Sequence, residues 1–424
     1  MNHINVLVIS ANAFSDVLNN GKTYKAIFSA FNKKQLHQLY FRPQESKFID
    51  SEFCTDYYSV SEISIFRDLF HVSASTKKKE TEYTTSHDND AHLYNTFLKK
   101  IISPNGILRD MVWKTNLWKN HKFKKWCRET NADVIFFVAG GSGYSHNIAR
   151  FVSEYLKAPL VVYFTDDYLL YPLTENLSSK IHKIRMKRFY RKTIDKSSLF
   201  FGIGDLMAEE YSAYFGKEFY SIMNSTDVVP YCRPKSAGPV IISYFGGLHT
   251  KRWEMIAGLA KIIGEKATIK VYSFDHLSEK IRSAFNKSGV LFIGGLTGVE
   301  YRNAIIESNI LLHVESDDKY YRSLTHLSVS TKLPEYLMSG RLVLGFGPVD
   351  LASMRILTDN EIGAVISSED NNSNILKKIE RVIENREYQI EMGLKAYEYA
   401  KNHFDNDRIS RDFKEKIFSL VSKQ

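Results

Sequence analysis

Short apolar runs separated by polar, turn-forming segments recur along the whole chain. In the first half they fall at residues 4–10, 36–41, 133–139, 160–164 and 199–204; in the second at 240–245, 268–274, 290–293, 310–314 and 342–344. Each is strand-sized, and most are too uniformly apolar for a strand with one wet face, so they predict parallel strands covered on both sides. Helix-length segments lie between them, at 24–31, from 144 onward, at 180–192, up to 215 and at 301–309, and a helical tail follows over 388–424. Repetition of strand, loop and helix predicts a doubly wound α/β architecture with ligands at the carboxyl ends of the strands. The pattern breaks once, over 223–239, where Asn224, Ser225, Pro230, Pro234, Gly238 and Pro239 cluster. That composition predicts a linker, hence a first domain over 1–222, a second over 240–395 and a terminal helical segment over 396–424.

Composition narrows the class. A chain of 424 residues with 44% hydrophobic and 25% charged residues suits a globular protein with substantial cores. The formal charge of +9 points to anionic partners: nucleotide diphosphates, an anionic lipid surface or nucleic acid. No nucleic-acid-binding motif is present, so that class drops out. Cys54, Cys127 and Cys232 are too scattered for a metal site or a disulfide framework and read as reduced thiols. No run reaches the roughly 18 apolar residues that span a bilayer, and the opening residues lack a cationic stretch before a long apolar one. A cytoplasmic setting is expected. Two basic stretches suggest contact with an anionic membrane: 99–128, where lysines mix with Trp113, Trp118 and Trp126, and 180–192, rich in bases and free of acids. Core and solvated helix faces are the plainer readings of both. Residues 73–92 read as a polar insertion.

Candidate chemistry collects at strand ends. Gly21-Lys22 after the first strand reads as a helix-start turn. Gly140-Gly141-Ser142-Gly143 follows the 133–139 strand and suggests close approach of a ligand or of backbone. Asp166 and Asp167 end the 160–164 strand, where two adjacent carboxylates are costly to bury. Gly246-Gly247 opens a loop that leads to Lys251 and Arg252 at a helix start, a place where cations oppose the helix dipole unless an anion is bound. The segment 328–348, SVSTKLPEYLMSGRLVLGFGP, reads as turn, helix, turn, strand. Ser330 and Thr331 are expected to cap the helix, Glu335 lies one turn in, Ser339-Gly340 ends it and Arg341 suits its negative end.

This last segment, read as Thr331-Lys332-Leu333-Pro334-Glu335-Tyr336 through Gly340, resembles the nucleotide-sugar site of family 4-like GT-B glycosyltransferases. The Gly246-Gly247-x4-Arg252 loop resembles the diphosphate loop of the same family. The resemblance implies a GT-B fold, two doubly wound Rossmann-like domains facing a cleft, with the terminal helix crossing back to the first domain. It implies transfer of a sugar from a nucleotide-diphosphate sugar to an acceptor hydroxyl, retaining and metal-independent, in capsular, exopolysaccharide or lipopolysaccharide assembly. The implied partners are the nucleotide sugar, a lipid-linked or saccharide acceptor and the inner face of the cell membrane, with no resident cofactor. Gly246, Gly247, Lys251, Arg252, Ser330, Thr331 and Lys332 would hold the diphosphate and Glu335 the ribose. Arg252 and Lys332 would also stabilise the leaving group, and Asp166 or Asp167 would orient the sugar or acceptor. The family's first acid, eight residues before Glu335, is absent, since Leu327 stands there; Glu315, Asp317 or Asp318 is left to take its place. A nucleotide-sugar epimerase and a non-catalytic binding protein for anionic polymers remain as rival readings.

Overall fold

Strands such as Val134–Ala139 (VIFFVA) and Leu160–Phe164 (LVVYF) are buried at every position, which only a sheet covered on both faces provides. The computed structural model describes residues 3–16, 19–42, 44–54, 56–62, 65, 112–174, 176–234 and 237–422. The 73–92 segment and the 99–111 part of the first basic stretch lie outside these residues. The chain divides into two units: Met1–Leu170, Thr174–Ile222 and Ser410–Gln424 form one, Tyr171–Leu173 and Met223–Ile409 the other.

In the first unit a seven-stranded, all-parallel sheet has the order β3-β2-β1-β4-β5-β6-β7. Its strands are β1 Val6–Ser10, β2 Leu36–Tyr40, β3 Asp56–Ser59, β4 Val134–Ala139, β5 Leu160–Phe164, β6 Ser197–Gly202 and β7 Tyr220–Ser221. Helices α1 Asn19–Ile27, α2 His121–Glu129, α3 Gly143–Leu156, α4 Leu177–Lys196 and α5 Gly204–Phe215 accompany it. Asn120 caps α2 by accepting from the Phe123 N–H, and Asn176 caps α4 by accepting from that of Ser179.

The tryptophans decide between the two readings of the first basic stretch in favour of the core. Trp113, Trp118 and Trp126 do not face outward but are buried. Their indole N–H groups donate to Glu62 (2.8 Å), the Trp113 carbonyl (3.2 Å) and Asp56 (2.7 Å) respectively. A partner within the protein for each N–H, and burial of all three rings, make this a core cluster, not a membrane-facing surface.

The second unit has a six-stranded parallel sheet, order β10-β9-β8-β11-β12-β13. Its strands are β8 Ile241–Phe245, β9 Thr268–Tyr272, β10 Leu291–Phe292, β11 Ile310–Val314, β12 Leu342–Gly347 and β13 Ala364–Ser367. Its helices are α6 Arg252–Ile263, α7 Glu279–Ser288, α8 Gly298–Glu307, α9 Lys319–Thr325, α10 Leu333–Met338, α11 Ala352–Asp359, α12 Asn372–Glu384 and α13 Arg386–His403, and α14 Asn406–Val421 closes the chain. Arg341 is 1% exposed and donates to the carbonyls of Cys232 (2.6 Å) and Ile306 (2.9 Å), so it ties the 223–239 segment to the end of α8. Gly340 leaves α10 at φ +70°, the left-handed turn that makes room for this.

The tail divides later than its sequence suggests. Residues 396–403 continue α13, whose Tyr397 donates to the Val229 carbonyl at 2.8 Å. The break between units falls inside α14, between Ile409 and Ser410. Beyond it Phe413 packs edge-on against Phe28, Phe136 and Phe201 at 5.2–5.6 Å, and the Ser410 hydroxyl bonds Ala30 and Ile27.

Candidate functional site

The carboxyl ends of β8, β11 and the segment before β12 bring together most of the residues singled out above. After β8, Gly246-Gly247 turns under Tyr244, whose hydroxyl donates to the Gly247 carbonyl at 2.6 Å. The Leu248 N–H donates to Asp275 at 2.5 Å. Thr250 and Lys251 then both take left-handed backbone angles, φ +61° and +60°. For side chains with a Cβ this costs about 1 kcal/mol or more each, so the loop is held in place by its surroundings. Lys251 contributes by pairing with Asp318 at 2.6 Å.

Arg252, expected to pair with the diphosphate, is bound within the protein. Its Nη2 donates to both oxygens of Glu315, at 3.0 and 2.9 Å. Glu315 is 3% exposed. Burial works against the Arg252 charge, but Glu315 more than restores it and the guanidinium pKa is raised. His313 stands beside the pair, 3.5 Å from Glu315, with Nε2 also 2.9 Å from the Ser353 hydroxyl. Burial pushes its pKa down to about 4, so it is neutral around pH 7.

The Lys332–Glu335 pair forms a second cluster. Lys332 Nζ lies 3.1 Å from Glu335 Oε2, and the Tyr301 hydroxyl donates to the same oxygen at 2.6 Å. Lys332 also sits 4.5 Å from the centre of the Tyr301 ring. Burial and the nearby carboxylate raise the Tyr301 pKa, which keeps it a donor. Tyr336 locks α10 to β8, donating to the Phe245 carbonyl (3.0 Å) while accepting from its N–H (2.9 Å). Ser330 and Thr331 do not cap α10 as predicted. Lys332 is the residue flanking the helix, in helical conformation and without a side-chain cap, and Ser330 Oγ accepts from the Lys332 N–H at 3.3 Å. Thr331 is half-buried in the turn.

The two aspartates of the first unit separate in role. Asp167 is 2% exposed, and its Oδ1 accepts from the N–H groups of Leu169 (2.8 Å) and Leu170 (3.0 Å) and from Tyr211 (2.8 Å). It closes a turn and anchors α5, which corrects its candidacy as a catalytic group. Asp166 is half-exposed, takes a 3.3 Å bond from Thr165 and acts electrostatically on Tyr24 and Tyr168. Two of the three glycines after β4 serve packing: a Cβ on Gly141 would strike the Tyr168 ring and one on Gly143 the Phe189 ring, while one on Gly140 would meet nothing. His146 behind them bonds Thr193 (3.0 Å) and the Gly140 carbonyl (3.1 Å), and burial lowers its pKa to about 3.

Tyr301, Tyr244 and His313 escape a reading of the sequence. Tyr301 reads only as the start of the 301–309 helix, and nothing local links it to Glu335. Leu327, where the family's first acid would stand, is fully buried. Among the described residues no group of three or more His, Cys, Asp or Glu is placed to hold a metal ion, and no helix is long and apolar enough to cross a membrane.

No family model and no curated protein matches the chain. Solved structures do match over nearly its full length. HepE from Anabaena, in complex with UDP and glucose, is 12% identical with a TM-score of 0.61, covering 98% of this chain and 100% of that one. A TarM mutant from S. aureus, in complex with Fondaparinux, alpha-GlcNAc-glycerol and UDP, is 11% identical with a TM-score of 0.62 over 99% and 100% of the two chains. A glycosyltransferase from Rickettsia africae is 10% identical with a TM-score of 0.63 and covers both chains completely. At such identities the likeness is one of fold, and that fold, two parallel-sheet α/β units, is GT-B.

Proposed function

We propose that the protein is a glycosyltransferase that moves a sugar from a nucleotide-diphosphate sugar to an acceptor hydroxyl, with retention, in the assembly of a bacterial surface polysaccharide. The observation that carries this reading is the Lys332–Glu335–Tyr301 cluster at the carboxyl edge of the second sheet. Its half-exposed carboxylate has one oxygen fixed by two donors, while Oε1 has no protein partner among the described residues. A carboxylate held in this way accepts hydrogen bonds from a ribose diol. Lys332 and the main-chain N–H of Gly247 meet the diphosphate, with Gly246, whose N–H bonds the Tyr272 carbonyl, shaping the loop and Ser330 and Thr331 lining the turn. Lys251 and Arg252, bound to Asp318 and Glu315, hold the loop that carries those glycines. Stabilising the departing diphosphate by the fixed Lys332 cation and the loop's main-chain donors supplies the main catalytic term, without a metal. Asp166 orients the sugar or acceptor, and Asp317 is the remaining acid for a hydroxyl of the donor sugar. UDP in two of the matching structures makes a uridine donor the first to try.

A lipid-linked acceptor and peripheral contact with the inner membrane face belong to the same reading. Helix α4 supports them. Lys180, Lys183, Arg185, Lys187, Arg188, Arg191, Lys192 and Lys196 face a single acid, Asp195. Leu177, Ile181 and Ile184 are at least half exposed among those bases, the mixture that binds an anionic interface.

A thermal-shift series with UDP, GDP, ADP, CMP and their sugar conjugates, on the wild type and Glu335→Ala, tests the proposal. At about 100 times Kd a ligand adds roughly 2.7 kcal/mol of stability. One nucleotide should raise Tm in the wild type and lose most of that effect in the variant. Absence of a shift with every nucleotide overturns the reading.

A further inference from the structure

The outer edge of β13 lacks the devices that blunt the other sheet edges. Of the four edges among the described residues, β7 and β10 have two residues each and β3 carries Asp56. β13, Ala364–Ser367 (AVIS), is longer than β7 and β10 and has neither charge nor proline, so its outer main chain can template another strand. The Ser368 N–H just past β13 donates to the Gly347 carbonyl of β12. Main-chain groups alternate sides along a strand, so the N–H groups of Gly363, Val365 and Ser367 point away from β12. Beside them lies a groove of about 980 Å³, bounded by that edge, the end of α12 and the first turn of α13.

The charges around the groove match a second copy of the same chain. Arg381, Glu384 and Glu387 line it, are exposed, and form no ion pair among the described residues. Arg386 donates to Gln389 and to the Gly238 carbonyl, so its charge also lacks an acid. A partner of one sign would repel half of these groups. A twofold-related copy sets the cations of each chain against the acids of the other. The strand ends agree. With two β13 strands antiparallel about Val365, that residue faces itself, Gly363 faces Ser367, and Glu361 faces Glu369. The last two would repel, but each is already bound within its own chain, Glu361 by Lys395 at 2.8 Å and Glu369 by Arg322 at 2.7 Å. We propose that the β13 edge is a homodimer interface. Val365 exchanges main-chain hydrogen bonds with Val365 of the second copy, Arg381 meets Glu384 and Glu387 of that copy, and the two six-stranded sheets join edge to edge. The interface does not depend on the function proposed above.

Sedimentation equilibrium of the full chain, from about 1 to about 200 µM, tests this. One short strand and its rim make a small contact, so a dimer Kd on the order of 10 µM is expected. Amide exchange at Val365 should slow as concentration rises, because its N–H is bonded only in the dimer. Val365→Pro removes that outward N–H and no ladder bond within the chain; it should stay monomeric and melt with the dilute wild type. Arg381→Glu should raise the dimer Kd about tenfold or more, and Glu384→Arg with Glu387→Arg should do the same. An equimolar mixture of these two reversed variants should dimerise as the wild type does. All three positions are exposed, so the charge reversals decide the case if Val365→Pro does not fold. A wild type that is monomeric at every concentration overturns the proposal, as does a dimer that persists in a folded Val365→Pro or that neither reversal weakens. So does a mixture that dimerises no better than its components.

Discussion

The Arg252–Glu315 pair should act as one energetic unit, and a double-mutant cycle will measure it. Each Glu315 oxygen lies about 3 Å from the same guanidinium nitrogen. At an effective dielectric constant of about 20 the attraction is about 5 kcal/mol. Removing either partner leaves the other charge largely buried, which costs about 3–5 kcal/mol. Replacing both by apolar residues of similar volume removes the penalty along with the attraction and should cost far less. We therefore expect Arg252→Met and Glu315→Leu each to destabilise the second unit by about 3–5 kcal/mol. The double variant carrying both should cost less than either, giving a coupling of at least about 3 kcal/mol. A chain of two units need not unfold in one step, so urea unfolding should be paired with native-state hydrogen exchange over β8 and β11. Single costs below about 1 kcal/mol, or costs that simply add in the double variant, would refute the reasoning and free Arg252 for the diphosphate.

Three further outcomes follow from the same geometry. Tyr301→Phe removes one of the two donors that fix Glu335 Oε2, so nucleotide affinity should fall about three- to tenfold while inorganic pyrophosphate binds as before; equal loss of both would assign Tyr301 to folding alone. Burial lowers His313 to about 4 and His146 to about 3, against an ordinary 6.5. Below pH 6.5 the unfolded chain takes up protons that the folded chain refuses, so stability should fall by ~1.4 kcal/mol per pH unit per histidine down to those values; thermal melts should show a shallower slope between pH 6 and 4 in His313→Asn, and an unaltered slope would contradict this. For α4, the wild type should sediment with phosphatidylglycerol vesicles and not with phosphatidylcholine alone, and Lys187→Glu with Arg188→Glu and Arg191→Glu should abolish it; a wild type that stays in the supernatant removes the membrane from the proposed function.

Central strands were legible because burial on both faces leaves no polar position to confuse the pattern, as in VIFFVA and LVVYF. Of the edge strands only β10, read over 290–293, was legible. β3 (DYYS) is partly exposed throughout, β7 has two residues, and β13 is four residues long. Helix α9 hid inside what reads as a polar loop, because its start is set by Asp318 accepting from the N–H groups of Tyr320 and Tyr321, not by an apolar stripe. Spacing located Arg252, Lys332 and Glu335 but not their partners, which come from 63 residues away for Arg252 and 34 for Glu335. For 112–128 the plainer core reading is the right one, yet the pattern supplies no partners: lysines at neighbouring positions say which residues are wet, not where an indole N–H finds its acceptor.

The same limit governs the acid that would face the donor sugar. Three carboxylates stand upstream of Glu335, and the sequence does not rank them. The structure does so by what each already holds. Glu315 is buried and bound through both oxygens to Arg252, and moving it toward a sugar would strand a guanidinium. Asp318 caps α9 with one oxygen and binds Lys251 with the other. Leu327 cannot be replaced by an acid without burying a charge that has no partner. Asp317 is exposed, next to both committed acids, and carries none of their bonds. If a carboxylate of this segment reads a sugar hydroxyl, Asp317→Asn should lower kcat/KM for transfer and leave the affinity for the free nucleotide untouched. Lost nucleotide affinity would instead place Asp317 among the groups that hold the loop.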